Sequence, residues 1–215
     1  TADTTFSVAN SCRFNDGDSA HMLLAPSGAG NTKTWTFSCW VKRGALGTRQ
    51  VLFSGYDEAV GLGESIEFTS GDLLEYDLDK AGADFTLTSS MVFRDPSAWY
   101  NIVFMKDTTQ STETNRAKCY VNGVQISLTE NAEGYPTEDH TGYINAAGDY
   151  EHHIATLQAD DSFFDGYMAE AVFIDGTSAD ATSFGEFDED SPRIWKPKDV
   201  SGLTFGTNGF YLDFE

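Results

Sequence analysis

The chain has 215 residues, 40% of them hydrophobic, and its 13 Lys and Arg stand against 34 Asp and Glu for a formal charge of −21. With 16 Phe, 9 Tyr and 4 Trp it has too many aromatics for a disordered acidic chain, so the acid belongs on a folded surface. A charge this negative repels phosphate backbones and argues against nucleic acid as a partner. No apolar run approaches the ~20 residues of a membrane helix, which argues against membrane insertion, and no signal peptide is visible. Cys12, Cys39 and Cys119 allow at most one disulfide, and Cys39 and Cys119 lie inside apolar strands, so three buried thiols are expected. The chain opens on Thr1, as expected of a processed product or of a piece of a longer protein.

Residues Thr5 to Leu24 read as one or two strands around the turn Asn15-Asp16-Gly17-Asp18, and Ala25 to Lys33 as a loop. A clean alternation follows: Trp35, Phe37, Cys39 and Val41 point one way, Thr36, Ser38, Trp40 and Lys42 the other. The second face is polar apart from Trp40, which predicts a strand covered on one side and half-exposed on the other. Val51 to Ser54, Ser65 to Phe68, Leu73 to Leu78 and Phe85 to Thr88 read as short strands of a meander. After the turn Asp95-Pro96-Ser97 comes a stronger strand, Trp99 to Lys106, apolar on both faces apart from Asn101. Arg116 to Val121 and Val124 to Leu128 flank Asn122-Gly123, whose tolerance of positive φ marks a type I′ hairpin.

The stretch Thr129 to Tyr150 is polar, and a loop of that length is expected to carry function or to move. Strands resume at His152 to Leu157 and Phe164 to Ile174. Asp180 to Phe184 reads as one helical turn and Phe210 to Phe214 as a last strand. Neither an internal repeat nor a linker divides the chain, which predicts one all-β domain over 1–215.

Several side chains invite a chemical reading. On a strand, Glu75, Asp77 and Asp79 project from one face, about 6–7 Å between successive members. Retaining glycoside hydrolysis needs two carboxyls about 5–5.5 Å apart. With 34 acidic residues, three alternating carboxylates on a solvated face are also unsurprising. His152 and His153 are adjacent on a strand and point to opposite faces, so with His140 they make a poor metal site; no Ser motif of a hydrolase triad appears. Glu170 shares a strand face with Met168, Val172 and Ile174, which predicts a buried carboxylate partnered by Arg94, Arg13 or backbone amides. Trp40, Trp99 and Trp195 read as packing. Tyr56, Tyr135 and Tyr143, in loop contexts, read as flat rings that can meet a sugar face.

The succession FNDGDSAHM, KTWTFSCWVKRG, FRDPSAWYNIV, CYVNGVQ, FDGYMAEAVFIDG, SFGE, WKPK and GTNGFYLDF resembles the laminin G-like, concanavalin A-like domain of tail-fibre and other structural proteins of tailed bacteriophages. The resemblance runs from about Ser11 to the C-terminus. It implies an all-β, two-sheet antiparallel jelly-roll sandwich and a non-enzymatic virion module, tail fibre or decoration, that adheres to a host-surface glycan. Other virion proteins and further copies of the chain are the implied partners, as a trimer in a fibre. In such chains GFYLDF usually continues into more virion protein. The regions Tyr56 to Asp84 and Glu130 to Tyr150 match no pattern and are where a receptor-binding module would vary.

The same resemblance offers alternatives. Laminarinases and lichenases share the fold and place three carboxylates on one strand, as Glu75, Asp77 and Asp79 would lie. Here the trio ends in Asp rather than Glu, and no Trp lies between Trp40 and Trp99. The fold also often carries a structural Ca²⁺ where the N-terminal strand meets the C-terminal one. Asn15, Asp16, Asp18 and Asp213 are the implied oxygen donors for such an ion, in a structural role or in a calcium-dependent lectin.

Overall fold

A computed structural model describes residues 6–26, 28–57, 59–80, 83–146, 150–158 and 162–215, the side chains of 80 and 83 excepted. Thr5, Ser27 and 147–149, all within expected strand or loop stretches, lie outside the described residues. The strands are β1 (Cys12–Phe14), β2 (Met22–Leu24), β3 (Thr34–Arg43), β4 (Gln50–Asp57), β5 (Leu62–Phe68), β6 (Leu73–Lys80), β7 (Ala83–Val92) and β8 (Tyr100–Asp107). They continue as β9 (Ala117–Val121), β10 (Val124–Ile126), β11 (Leu128–Glu130), β12 (Glu151–Ile154), β13 (Gly166–Asp175), β14 (Gly185–Phe187), β15 (Trp195–Pro197) and β16 (Phe210–Leu212).

Two antiparallel sheets face each other, as the alternating strands predict. The front sheet runs β1-β13-β3-β8-β9-β10, with β16 also paired to β13; the back sheet runs β11-β7-β6-β5-β4-β12-β2. Asn122 and Gly123 take φ of 48° and 80° in the β9–β10 hairpin, as type I′ geometry demands. The expected strand Val124 to Leu128 is in fact two. Its first half pairs with β9 in front, and from Leu128 the chain crosses over to pair with β7 behind. The Asp180–Phe184 stretch holds one 3₁₀ turn, capped by Asp180 Oδ1 accepting from the Thr182 N–H.

Trp35, Phe37, Cys39 and Val41 are fully buried between the sheets, where Phe37 stacks on Phe53 with ring centres 4.6 Å apart. The opposite face of β3 is half-exposed at Trp40 and Lys42, as expected, but Thr36 and Ser38 are buried. The segment after β13 folds back over the front sheet and packs Ala181, Phe184, Trp195 and Val200 against Val103, Val172 and Ile174. Thr36 Oγ1 anchors it, donating to the Thr177 carbonyl and accepting from the Ala179 N–H.

β13 contains a bulge that the sequence conceals. The register shifts between Ala169 and Val172, and Glu170 takes φ of 49°. Met168, Ala171 and Phe173 therefore face the inner core while Val172 and Ile174 face the outer one, so Glu170 does not share a face with all three expected neighbours. Glu170 is buried, but its partner is the Tyr211 hydroxyl, which donates to Oε2 at 2.6 Å. Arg94 and Arg13 pair elsewhere, with Asp72 and Asp165. Cys39 and Cys119 are buried and all three thiols are free.

The sheets are tied by a charge pair. Lys106 Nζ on β8 and Glu64 Oε1 on β5 lie 2.6 Å apart, both fully buried. The Tyr76 hydroxyl donates to the same Glu64 oxygen and the Ile144 N–H to the other. Breaking one member leaves a buried charge without its partner, which costs about 3–5 kcal/mol. Lys106→Met is expected to lose that much in urea unfolding, and the double variant Lys106→Met/Glu64→Gln to recover a large part of it.

Candidate functional site

The outer face of the back sheet carries the expected carboxylates. β6 turns Leu74, Tyr76 and Leu78 inward, so Glu75, Asp77 and Asp79 point outward. The pairing register sets Glu67, Glu75 and Thr88 in one row, Ser65, Asp77 and Thr86 in the next, and Tyr56, Gly63, Asp79 and Asp84 in a third. Tyr56 thus reaches the same face as the trio, with its ring laid over Gly63; a Cβ there would sit 2.7 Å from ring atom Cδ2.

These carboxylates are engaged. Arg49 donates to both oxygens of Glu67 at 2.6 and 2.7 Å, and the Ser65 hydroxyl adds a third bond. Thr88 donates to Glu75 at 2.6 Å and Thr86 to Asp77 at 3.2 Å, with Arg49 3.9 Å from Asp77. Burial raises Glu75. Burial first, then the Glu67 charge, push Asp77 up to about 6. Asp79 is exposed.

The other expected site residues are dispersed. Tyr143 is not a surface ring: it is 7% exposed and packs in the core, 5.6 Å from the Tyr150 ring. The polar stretch that holds it was expected to be a loop open to ligand, but Gly142, Tyr143 and Ile144 insert beside the Lys106–Glu64 pair. Tyr135 is half-buried at a cavity of about 270 Å³ that also meets Lys118, Gln125 and Ile126.

Asn15, Asp16, Asp18 and Asp213 do not converge. β1 begins opposite Met168 and β16 ends opposite Ala171, so the terminal strands do meet along β13. Asn15, however, follows Phe14 opposite Gly166, whereas Asp213 follows Leu212 opposite Ala171. At ~3.3 Å per residue this spacing is far beyond shared coordination. The Asn15 amide instead donates to Asp18 Oδ2 at 2.5 Å, closing the turn on itself. Among the described residues no group of three or more His, Cys, Asp or Glu is placed to hold a metal.

Three tryptophans, read as packing, define a cleft that sequence reasoning missed. Trp40 from β3, Trp99 from the approach to β8 and Trp195 from β15 line about 510 Å³ on the outer face of the front sheet, with Ala169, Lys196 and the strip Phe6 to Ser11. Trp195 is locked: its Nε1–H donates to Asn101 Oδ1 at 2.9 Å, and its ring fills the space where Gly123 and Gly185 lack a Cβ. Trp99 is 37% exposed and is the most open of the three. Lys196, between Glu186 and Asp188 at 3.5 and 3.6 Å, borders the cleft with a polar group. The one signal was Trp40 itself, the single apolar residue on an otherwise polar strand face. Among the described residues no helix is long and apolar enough to cross a membrane.

Residues 16–182 match the laminin G-like family model described as the concanavalin A-like lectin/glucanases superfamily, and the chain belongs to that family. No curated protein matches. Among solved structures, domains LG4-5 of the mouse laminin alpha1 chain superpose with a TM-score of 0.56 at 12% identity, over 99% of this chain and 50% of that one. The CBM40 of the Ruminococcus gnavus IT-sialidase gives 0.50 at 12% identity, over 75% and 92%. Tailspike protein 2 of the Escherichia coli O157:H7 bacteriophage CAB120 gives 0.53 at 8% identity, over 80% and 23%. At these identities the likenesses establish the fold alone, a two-sheet concanavalin A-like sandwich.

The Asp77 shift carries a sign. Its folded value near 6 exceeds the usual value near 4, so the native state holds the extra proton and stability falls as pH rises between about 4 and about 6. Asp77→Asn is expected to flatten that decline and to raise stability at pH 7.5 by about 1–3 kcal/mol, measured by thermal unfolding across pH.

Proposed function

We propose that this protein is a non-enzymatic glycan-binding module that holds a neutral saccharide in the Trp40–Trp99–Trp195 cleft. The cleft carries the proposal. Indole faces match the C–H faces of a pyranose, while Lys196, Asn10 and Ser11 at its border suit hydroxyls, the mix of apolar wall and few polar groups that small-ligand sites use. The formal charge of −21 disfavours acidic sugars. Membership of the concanavalin A-like lectin/glucanases superfamily supports glycan as the ligand class.

The setting we propose is a virion. The module would sit in a tail fibre or as a surface decoration, contact other virion proteins, and meet a host-surface glycan. The motif succession of the first section and the phage tailspike likeness support this. In a fibre the assembly is a trimer. Structural calcium, if it acts, would use donors other than the dispersed set Asn15, Asp16, Asp18 and Asp213.

One observation favours a second reading as a laminarinase-type hydrolase: Glu75 and Asp77 share a strand face and both hold their protons more tightly than usual. Against it, threonine hydroxyls and Arg49 occupy both groups.

A glycan array with solution mass and reducing-end assays separates the readings. Binding of neutral glycans by a trimer without turnover is expected. Trp99→Ala should weaken binding at least tenfold, and Glu75→Gln should leave it unchanged. Release of reducing ends that Glu75→Gln abolishes would establish the hydrolase instead.

A further inference from the structure

In the back sheet β12 lies between β4 and the three-residue edge strand β2. Met22 and Ile154 join the inner core, so Leu23 and His153, paired across the ladder, face outward. His21 stands two residues before Leu23 and is therefore the diagonal neighbour of His153 on that outer face. The two imidazole rings lie 6.4 Å apart between centres, and the Phe163 ring lies 5.9 Å from His21.

The two histidines differ in what holds them. His21 is exposed, and its Nδ1 is 2.8 Å from the Ser19 carbonyl. A carbonyl only accepts, so the neutral ring carries its proton on Nδ1 and keeps a lone pair on Nε2. His153 is 1% exposed. Its Nδ1 is buried without a hydrogen-bond partner, and among the described residues nothing bonds its Nε2 either. A buried imidazole with both nitrogens idle is rare in native proteins, and an ion or a water is the usual missing partner. Neither ring borders the tryptophan cleft on the other sheet.

We propose that His21 Nε2 and the His153 imidazole together bind one divalent cation of the zinc class, with water completing its coordination. Imidazole nitrogen suits Zn²⁺, Cu²⁺ and Ni²⁺, whereas Ca²⁺ and Mg²⁺ take oxygen donors. The Ser19 carbonyl supplies the hydrogen bond that metal-binding histidines make through their other nitrogen, which fixes tautomer and ring orientation. A tetrahedral ion held at about 2.0–2.1 Å by one nitrogen of each ring brings the ring centres to about 5 Å. Closing from 6.4 Å takes about 1 Å of movement, which His21, exposed and ahead of its strand, can make. The formal charge of −21 favours a cation over an anion here. Bound in this place, the ion ties the residue that enters β2 to β12 and pins the edge of the back sheet. The proposal does not depend on the glycan reading, and either can fail alone.

The test is a Zn²⁺ titration of the untagged full chain at pH 7.5, stripped beforehand with a chelator and followed by calorimetry, thermal unfolding and imidazole nitrogen NMR. One Zn²⁺ per chain is expected, with shifts at both His21 and His153 and none at His140 or His152. The thermal midpoint should rise by about 5–10 °C at a hundredfold excess over Kd. Mg²⁺ at the same concentration should produce neither effect. His21→Gln, at an exposed position outside the core, should weaken Zn²⁺ binding at least tenfold and abolish the His153 shift. Unchanged affinity in that variant would overturn the proposal. So would a response at His21 alone, which marks an adventitious ion only. Absence of any saturable response would mean that water alone meets His153, and would overturn it as well.

Discussion

The Lys106–Glu64 pair is the constraint on which the rest of the sandwich depends. Both side chains are fully buried, and both would be costly there without the groups arranged around them. Glu64 accepts from Lys106, Tyr76 and the Ile144 N–H, while the Lys106 ammonium lies 5.8 Å from the centre of the Trp35 ring. One register of β5 against β8 satisfies all of them. The pair also dictates what covers it, since any side chain at position 142 would collide with Glu64 and Lys106. The polar stretch after β11 is therefore threaded inward at Gly142 rather than spread over the surface. Tyr143 and Ile144 enter the core behind it.

That inward turn leads to a second buried hub. Asn145 follows Ile144 and donates its backbone N–H to His152 and its side-chain amide to Asp175 and the Asn31 carbonyl. Asp175 also accepts the backbone N–H groups of Asn31 and Asn208. Three loops at one end of the sandwich are thereby fixed to the last residue of β13. With this part of the interior so fully committed, recognition of a glycan is left to the outer faces of the sheets. On the back sheet the carboxylates bond one another's neighbours. On the front sheet the returning C-terminal segment brings Trp195 beside Trp40 and Trp99 and creates a concave apolar wall.

The strands were legible because alternation is local. The inner face of β3, the Asn122-Gly123 hairpin, the opposed faces of His152 and His153 and the one-face trio on β6 all follow from period two and turn chemistry. What was not legible depends on distant partners or on a break in the period. The bulge at Glu170 puts a non-glycine residue at positive φ inside an apolar run, and nothing nearby in the sequence marks it. The outer core over Thr36 and Ser38 needs a segment some 140 residues later in the chain. Trp195 finds Asn101 and Gly123 only in three dimensions. Tyr143 looked exposed because its neighbours are polar, although the Gly-Tyr-Ile sequence inside that stretch was a faint sign of insertion. The four proposed calcium donors had the right oxygens but sat at different points along β13.

Hydrogen exchange at the Ile144 amide tests the organising role of the buried pair most directly. If Glu64 holds this N–H as described, Ile144 should exchange only through global unfolding, at the rate of the β8 core amides, and Lys106→Met should release it by several orders of magnitude. Exchange of Ile144 at the rate of exposed loop amides in the unaltered protein would contradict the account.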